Sequence, residues 1–354
     1  MSKLFSDRNR PVHMGRYPTE LLKRSRVMPD LEGLAPWPDL SFERPAGSHS
    51  LVPAMAEFQA MMDAVRDGAQ NSAPSDIPDD PEERSNHLKA FAYFNDISMV
   101  GIAPLRSEDR LHAPRRNPQI DRLSHALQTR QTKTLAAGID MIMADLRESM
   151  TAKPEPMDHH AYALVFLVAY RRDPRSGETG CDWVQDAQAE RAALLGAETA
   201  TVLANYIRVL GHSARAHSAT TCDVDLARLA VKAGLAQVAG DQITHPWLKQ
   251  RFGLAAVTTD MALAPDLPLA ADQPKSVRMG LDWGLGRHGG ASRGSHDPYA
   301  RRDYAQGAHP FETLKRVETP TTYIDEPNVA RVPKRTDMFA RAQFGDMGPA
   351  LQKG

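Results

Sequence analysis

The stretch "HSARAHSATTCDVD", residues 212–225, gathers side chains that could do chemistry. Arg215 and His217 alternate with Ala214 and Ala216, so both project to one side of an extended segment. They would line a pocket against a polar cofactor edge, or else form a solvent-facing strand edge. Ser218, Thr220 and Thr221 follow just ahead of a predicted helix, and hydroxyls beside helix-terminal amides can hold a phosphate. Asp223 is the expected cap of that helix, and its carboxylate competes for the same amides. Ordinary capping is therefore the favoured reading of this turn.

Other constellations carry less. Asp158, His159 and His160 are consecutive, and adjacent histidines on an extended chain point to opposite faces, which chelates one ion poorly. An interfacial or solvated role is expected for them. The glycine-rich "GLGRHGGASRG", 284–294, lacks the strand before and the helix after that a phosphate cradle needs. Cys181 and Cys222 are the only two cysteines. They supply neither a zinc spacing nor the four thiolates of an iron–sulfur cluster. No nucleophile–base pair stands out by spacing, so no catalytic residue is assigned and no metal site is expected.

The elements that must position these residues read as a mixture of helix and strand. "VPAMAEFQAMMDAVRDG" is an amphipathic helix whose Met55, Phe58, Met61, Met62 and Val65 are expected to face a core, with Gly68 ending it. Asp80, Pro81 and Glu83 announce a second helix through a cap, a proline at the first position and a capping box. Strands are predicted at 97–102, stopped by Pro104, and at 161–170, an unbroken apolar run suited to a central strand covered on both faces. Leu135, Ile139, Ile142, Met143 and Leu146 form the apolar face of another helix. A long helix over 184–210 stops at Gly211. A shorter one, with Leu226, Leu229, Ala230 and Ala233 inward, stops at Gly234. "FGLAAVTTDMAL" is a last strand. Residues 1–75 read as an arm bearing one helix, 76–270 as the domain, and 271–354 as an extended arm.

Composition limits the functional classes. The chain has 354 residues, 42% hydrophobic and 25% charged, with a formal net charge of −1. That balance gives no electrostatic case for nucleic acid. No run approaches the roughly 18 apolar residues of a membrane span, and no export signal is legible, so a cytoplasmic location is expected.

Four stretches taken in order resemble one family. "IPDDPEERSNHLKAFAYFNDISMVGIAPL", "LVFLVAYRRDPRSGETGCDW", "AETATVLANYIRVLGHSARAH" and "LARLAVKAGLAQVAG…RFGLAAVTTDMALAPDLPL" are similar to cobalamin-dependent reductive dehalogenases and, more distantly, to epoxyqueuosine reductases. The resemblance covers roughly residues 76–270. It implies a nitroreductase-like fold of the α/β (α+β) class: a mixed sheet flanked by helices, with extended N- and C-terminal arms. It also implies a base-off corrinoid fed by two iron–sulfur clusters, with carbon–halogen bonds cleaved reductively at cobalt. The lack of a twin-arginine leader matches the soluble, non-respiratory kind. By the same resemblance, Arg215, His217, Ser218, Gln242, Ile243 and Thr244 would touch cobalamin.

The chain departs from the family in two ways. The cluster cysteines are missing, and the family's Gly-Arg–Gly turn reads Ala239-Gly240-Asp241-Gln242. An arginine exchanged for an aspartate changes the local charge by two units beside a phosphate-bearing cofactor. The family's catalytic tyrosine and basic residue fall on no matched position. The expectation is a degenerate N-terminal half that packs as a structural pseudo-dimer partner of a corrinoid- and iron–sulfur-containing catalytic half, or as a homodimer. The tail from Thr319 onward resembles the start of such a second module. The alternatives are a cobalamin-binding component that takes electrons from a separate donor, and a corrinoid carrier.

Overall fold

A computed structural model describes residues 10–40, 50–129, 156–184 and 187–273. The predicted helix at 135–146, the glycine-rich stretch and most of the C-terminal arm lie outside the described residues.

Two strands dominate because their sequences are apolar without interruption. β3 (Tyr162–Ala169) and β8 (Phe252–Thr259) pair antiparallel over eight residues, with Tyr162 opposite Thr259 and Ala169 opposite Phe252. β1 (Met99–Pro104) joins the free side of β3, and β4 (Ala214–His217) joins the free side of β8. The resulting order is β1-β3-β8-β4. Every one of these pairings is antiparallel, so these four strands do not form the expected mixed sheet, while helices packed on an antiparallel sheet agree with the expected α+β class. The reason is topological. β3 and β4 run in the same direction across a helical crossover, but β8 inserts between them, so no parallel neighbours meet.

Each face of the sheet has its own cover. Val100, Ile102, Leu164, Phe166, Val168, Ala255 and Val257 face the long helix α5 (Gln188–Val209). That helix offers Ala192, Gly196, Ala200, Leu203, Ala204 and Ile207 to the sheet. Small residues let it sit close: a Cβ on Gly196 would meet Ala255 at 2.8 Å, and one on Gly253 would meet Ala192 at 2.8 Å. A short turn of helix, α4 (Cys181–Val184), precedes it. The opposite face carries Met99, Ala103, Val165, Leu167, Phe252, Leu254 and Ala256 beneath α6 (Leu226–Lys232). Asp225, not Asp223, caps α6: its carboxylate accepts from the amides of Ala227 and Arg228. Gly234 ends the helix at φ +66°, a left-handed position that favours glycine.

α2 (Pro81–Phe94) begins as its sequence dictates, with Asp80 accepting from the Glu82 amide. Glu83 lies 3.6 Å from His87 along the helix. α3 (Gln119–Thr129) lies against α1 (Val52–Ala64). Two small antiparallel pairs complete the description: β2 (Arg110–Arg115) with β5 (Cys222–Val224), and β6 (Gln237–Ala239) with β7 (Gln242–Thr244).

The segment around residues 17–37 packs on the core: Leu22, Leu31 and Leu34 are buried and Trp37 stacks on Phe252 at 5.4 Å. One expectation about position is revised, because α1 turns the other way. It buries Val52, Ala56, Gln59, Ala60 and Asp63, while Phe58 and Met61 are exposed. Periodicity identifies residues that share a face; the polar demand of Asp63 decides which face goes inward.

Candidate functional site

β4 forms the sheet edge next to β8, and the end of α1 covers it, with the Ala216 amide donating to the Arg66 carbonyl at 3.3 Å. Because strand residues alternate, Arg215 and His217 do share one face. That face is closed, not open to solvent: Arg215 is 5% exposed, and His217 is fully buried. The expected solvent-facing edge is overturned by the acidic and basic residues of "MDAVRDG", which fold over it.

The ion pairs are specific. Arg66 grips both oxygens of Asp223, at 2.8 and 3.3 Å. Arg215 donates from Nε to Asp67 at 2.6 Å and reaches Asp223 at 3.5 Å. Burial would raise the Asp223 carboxyl, but His217, Arg66 and Arg215 around it hold it below its ordinary value. Two guanidiniums thus face two carboxylates, which is the arrangement a buried charge requires.

Beside them Asp63 acts as a hub. Its oxygens accept from Gln59 Nε2 (3.0 Å), Asn117 Nδ2 (2.9 Å), Ser218 Oγ (2.6 Å) and Thr220 Oγ1 (2.5 Å). Ser218 Oγ in turn accepts from the amides of Thr220 and Thr221 at 3.2 and 3.0 Å. The hydroxyls ahead of the helix therefore serve this turn and Asp63.

The histidines form a chain whose direction can be deduced. The Asp223 amide can only donate, and it points at Nδ1 of His217 at 3.3 Å. Nδ1 accepts, so the ring hydrogen sits on Nε2 and is donated to Thr258 Oγ1 at 2.9 Å. Thr258 then donates its own hydrogen to Nδ1 of His160, at 2.8 Å. This leaves Nε2–H of His160 for Ser213 Oγ, at 2.8 Å. Both rings are neutral for the same reason. Burial lowers His217 well below the usual histidine range and pushes His160 down to about 3. His160 is thus a core residue, correcting the solvated role expected for it. Its neighbour Asp158 is exposed and pairs with Arg110.

The remaining sequence candidates lie elsewhere. Gln242, Ile243 and Thr244 form β7 of the separate hairpin, where Ile243 is buried in the core beneath α6 and Gln242 accepts from Gln250 at 2.7 Å. The structure brings Arg215, His217 and Ser218 together and leaves these three in a different sheet. Sequence reading missed Asp63, Arg66, Asp67, Thr258 and His160 as one cluster; the charges closing the α1 segment were the available signal.

As a corrinoid site the arrangement does not fit. Arg215, His217 and Ser218 make polar contacts with protein groups, and the cofactor-edge candidates are divided between β4 with its following turn and the separate β7. Cys222 offers no reactive thiol, since it donates to the Val224 carbonyl at 2.8 Å and burial pushes it up to about 12. No group of His, Cys, Asp and Glu able to hold a metal ion occurs among the described residues. Nor is any helix among them long and apolar enough to cross a membrane.

Comparison with known proteins gives a consistent likeness. No protein-family model and no curated protein matches the chain. Solved structures do. The catabolic reductive dehalogenase NpRdhA is 32% identical over 97% of this chain and 42% of its own, with a TM-score of 0.64. A reductive dehalogenase structure said to suggest a mechanism for B12-dependent dehalogenation is 33% identical over 79% of this chain and 34% of its own, at a TM-score of 0.59.

The chain is similar to reductive dehalogenases.

NpRdhA has also been solved in complex with 3-bromo-4-hydroxybenzoic acid, and there it is 32% identical over 78% of this chain. Against these reductive dehalogenases the chain spans only 33% to 42% of their length. An epoxyqueuosine reductase matches at 15% identity and a TM-score of 0.31, too slight to bear on the fold.

Proposed function

We propose that this chain is a reductive-dehalogenase-like scaffold: a nitroreductase-like unit that packs as a pseudo-dimer partner against a corrinoid- and iron–sulfur-bearing half. The observation that carries this reading is the paired polar cluster of Arg215, His217 and Ser218. Their bonds to Asp67, Asp223, Thr258 and Asp63 fill the place a cofactor's polar edge would need. A ligand entering there would have to break two buried ion pairs, each member of which is expensive to leave unpaired. The two cysteines of this sequence do not supply the four thiolates of such a cluster, so electrons for any cobalt chemistry would enter from outside residues 1–354.

The test is a cobalamin titration of the purified chain, followed by absorbance and calorimetry. The scaffold reading expects no saturable binding up to about 1 mM, an affinity weaker than about 4 kcal/mol. Saturation at one equivalent would overturn it in favour of a corrinoid-binding component or carrier. Dehalogenation with an artificial reductant would then separate those two.

A further inference from the structure

β1 ends the sheet order β1-β3-β8-β4, so among the described residues one of its sides has no strand neighbour. Successive residues of an antiparallel strand turn their amides and carbonyls to alternate sides. Val100 and Ile102 turn theirs away from β3, and each finds a partner that is not a strand. The Val100 amide donates to Tyr93 Oη of α2 at 3.1 Å. Gly15 lies so close over that ring that a Cβ there would overlap it. The Ile102 amide donates to Asp266 Oδ2 at 2.7 Å, and the Ile102 carbonyl accepts from the Asp266 amide at 2.8 Å. Pro104, the next residue turned to that side, has no amide to offer.

Asp266 thus closes on Ile102 the two-bond ring that a neighbouring strand would make. Its amide is the donor such a strand would bring, and its carboxylate replaces the carbonyl. Lys89 of α2 holds the other carboxylate oxygen at 2.8 Å. The segment Pro265-Asp266-Leu267-Pro268 is fixed on both flanks. The Ala264 amide donates to Ser85 Oγ at 2.9 Å, and the Pro268 carbonyl accepts from the Ser25 amide at 2.9 Å. The two prolines leave this cover short of amides, so it cannot pass the ladder on to a further strand. Without the Asp266 side chain, the edge of the apolar run MVGIAP would offer a free amide, and open apolar edges template pairing with another chain.

We infer that Asp266 is a gatekeeper of the β1 edge, an intrachain contact that keeps β1 from pairing antiparallel with β1 of a second copy. The ladder of an edge accepts an extended strand through its main chain, and an identical β1 meets it across a two-fold axis with the same residues turned outward. Such a pairing would join two four-stranded sheets into one. The inference does not depend on the scaffold reading, because β1 lies at the opposite end of the sheet from β4.

Three variants of the full chain test it. Asp266→Ala removes the acceptor, Asp266→Asn keeps an oxygen in its place, and Lys89→Met removes only the ion pair. Hydrogen exchange at the Ile102 amide should quicken about tenfold in Asp266→Ala and change little in the other two. Sedimentation over a range of concentrations should show Asp266→Ala gaining a species of twice the parent mass, with β1 protected again in that species. The other two variants should sediment as the parent does. Unchanged exchange, or fast exchange without added association, would overturn the proposal, as would association that leaves β1 unprotected. Equal behaviour of the alanine and asparagine variants would overturn it too, since the acceptor would not matter. If Asp266→Ala loses its circular dichroism, Asp266→Ser takes its place, with a hydroxyl one atom too short to reach the Ile102 amide. Unfolding of both would overturn the proposal, because Asp266 would then serve folding itself.

Discussion

The inner face of β8 passes through two kinds of interior in four steps: Phe252, Leu254, Ala256, Thr258. At the first end Trp37 stacks on Phe252, and Leu254 is packed among apolar residues of β1, β3 and α6. At the last end Thr258 holds two neutral histidines together beside two ion pairs. The apolar end is stabilised by area removed from water, about 25 cal/mol per Å², and tolerates exchange among residues of similar volume. The polar end gains little from its pairs as such and loses much when one partner is removed. The same strand therefore combines a forgiving half with an unforgiving one.

Acid should break this contrast most severely. His160, His217 and His245 are buried and lowered, the first and last to about 3, with burial the leading cause in each. The unfolded chain binds their protons below its ordinary histidine value of about 6.5, while the folded chain does not. The stability they support is complete above about pH 6.5 and falls as pH drops toward the folded values, by up to about 1.4 kcal/mol per pH unit for each ring. Asp223, held below its ordinary value, adds its own loss only further down, below about 4. Urea midpoints at about pH 7 and about pH 5 check this; equal midpoints would mean that the rings are accessible to protons in the fold.

Asp223→Ala should come next, at about 3–5 kcal/mol, because Arg66 and one end of Arg215 would stay buried without their carboxylate. Leu254→Ala probes the apolar half, with an expected cost of about 2–5 kcal/mol that depends on how far the cavity collapses. Chemical unfolding of both, beside Leu254→Met at under about 1.5 kcal/mol, sharpens the comparison. Within the polar half, Thr258→Val should cost less than Asp223→Ala, about 1–3 kcal/mol, since the shape is kept while both histidines lose one bond. Nitrogen chemical shifts of the imidazoles should show the His160 tautomer freed in that variant and fixed in the parent.

Much of the architecture was legible because its signals are local. Apolar runs marked β3 and β8, and glycines at 211 and 234 marked helix ends. The errors came where two residues of the same type competed or where orientation mattered. Both Asp223 and Asp225 can cap a helix; Arg66, distant in sequence, takes the first and leaves the second for α6. The cluster around β4 was half legible. The alternation of Arg215 and His217 placed them on one face, but no local pattern announces that Asp63, Arg66 and Asp67 will cover it.

The insertion of β8 between β3 and β4 also sets an order of events in folding. β3 and β4 are both made before β8, yet neither can pair with the other across the gap. Residues 162 and 259 must meet before the centre of the sheet exists. A contact of such sequence separation carries a high entropic cost of closure and slows folding. During synthesis, a chain that has completed β4 but not yet β8 presents the unpaired apolar edge of β3 and the unpaired edge of β4, the state most prone to pair with a neighbouring copy.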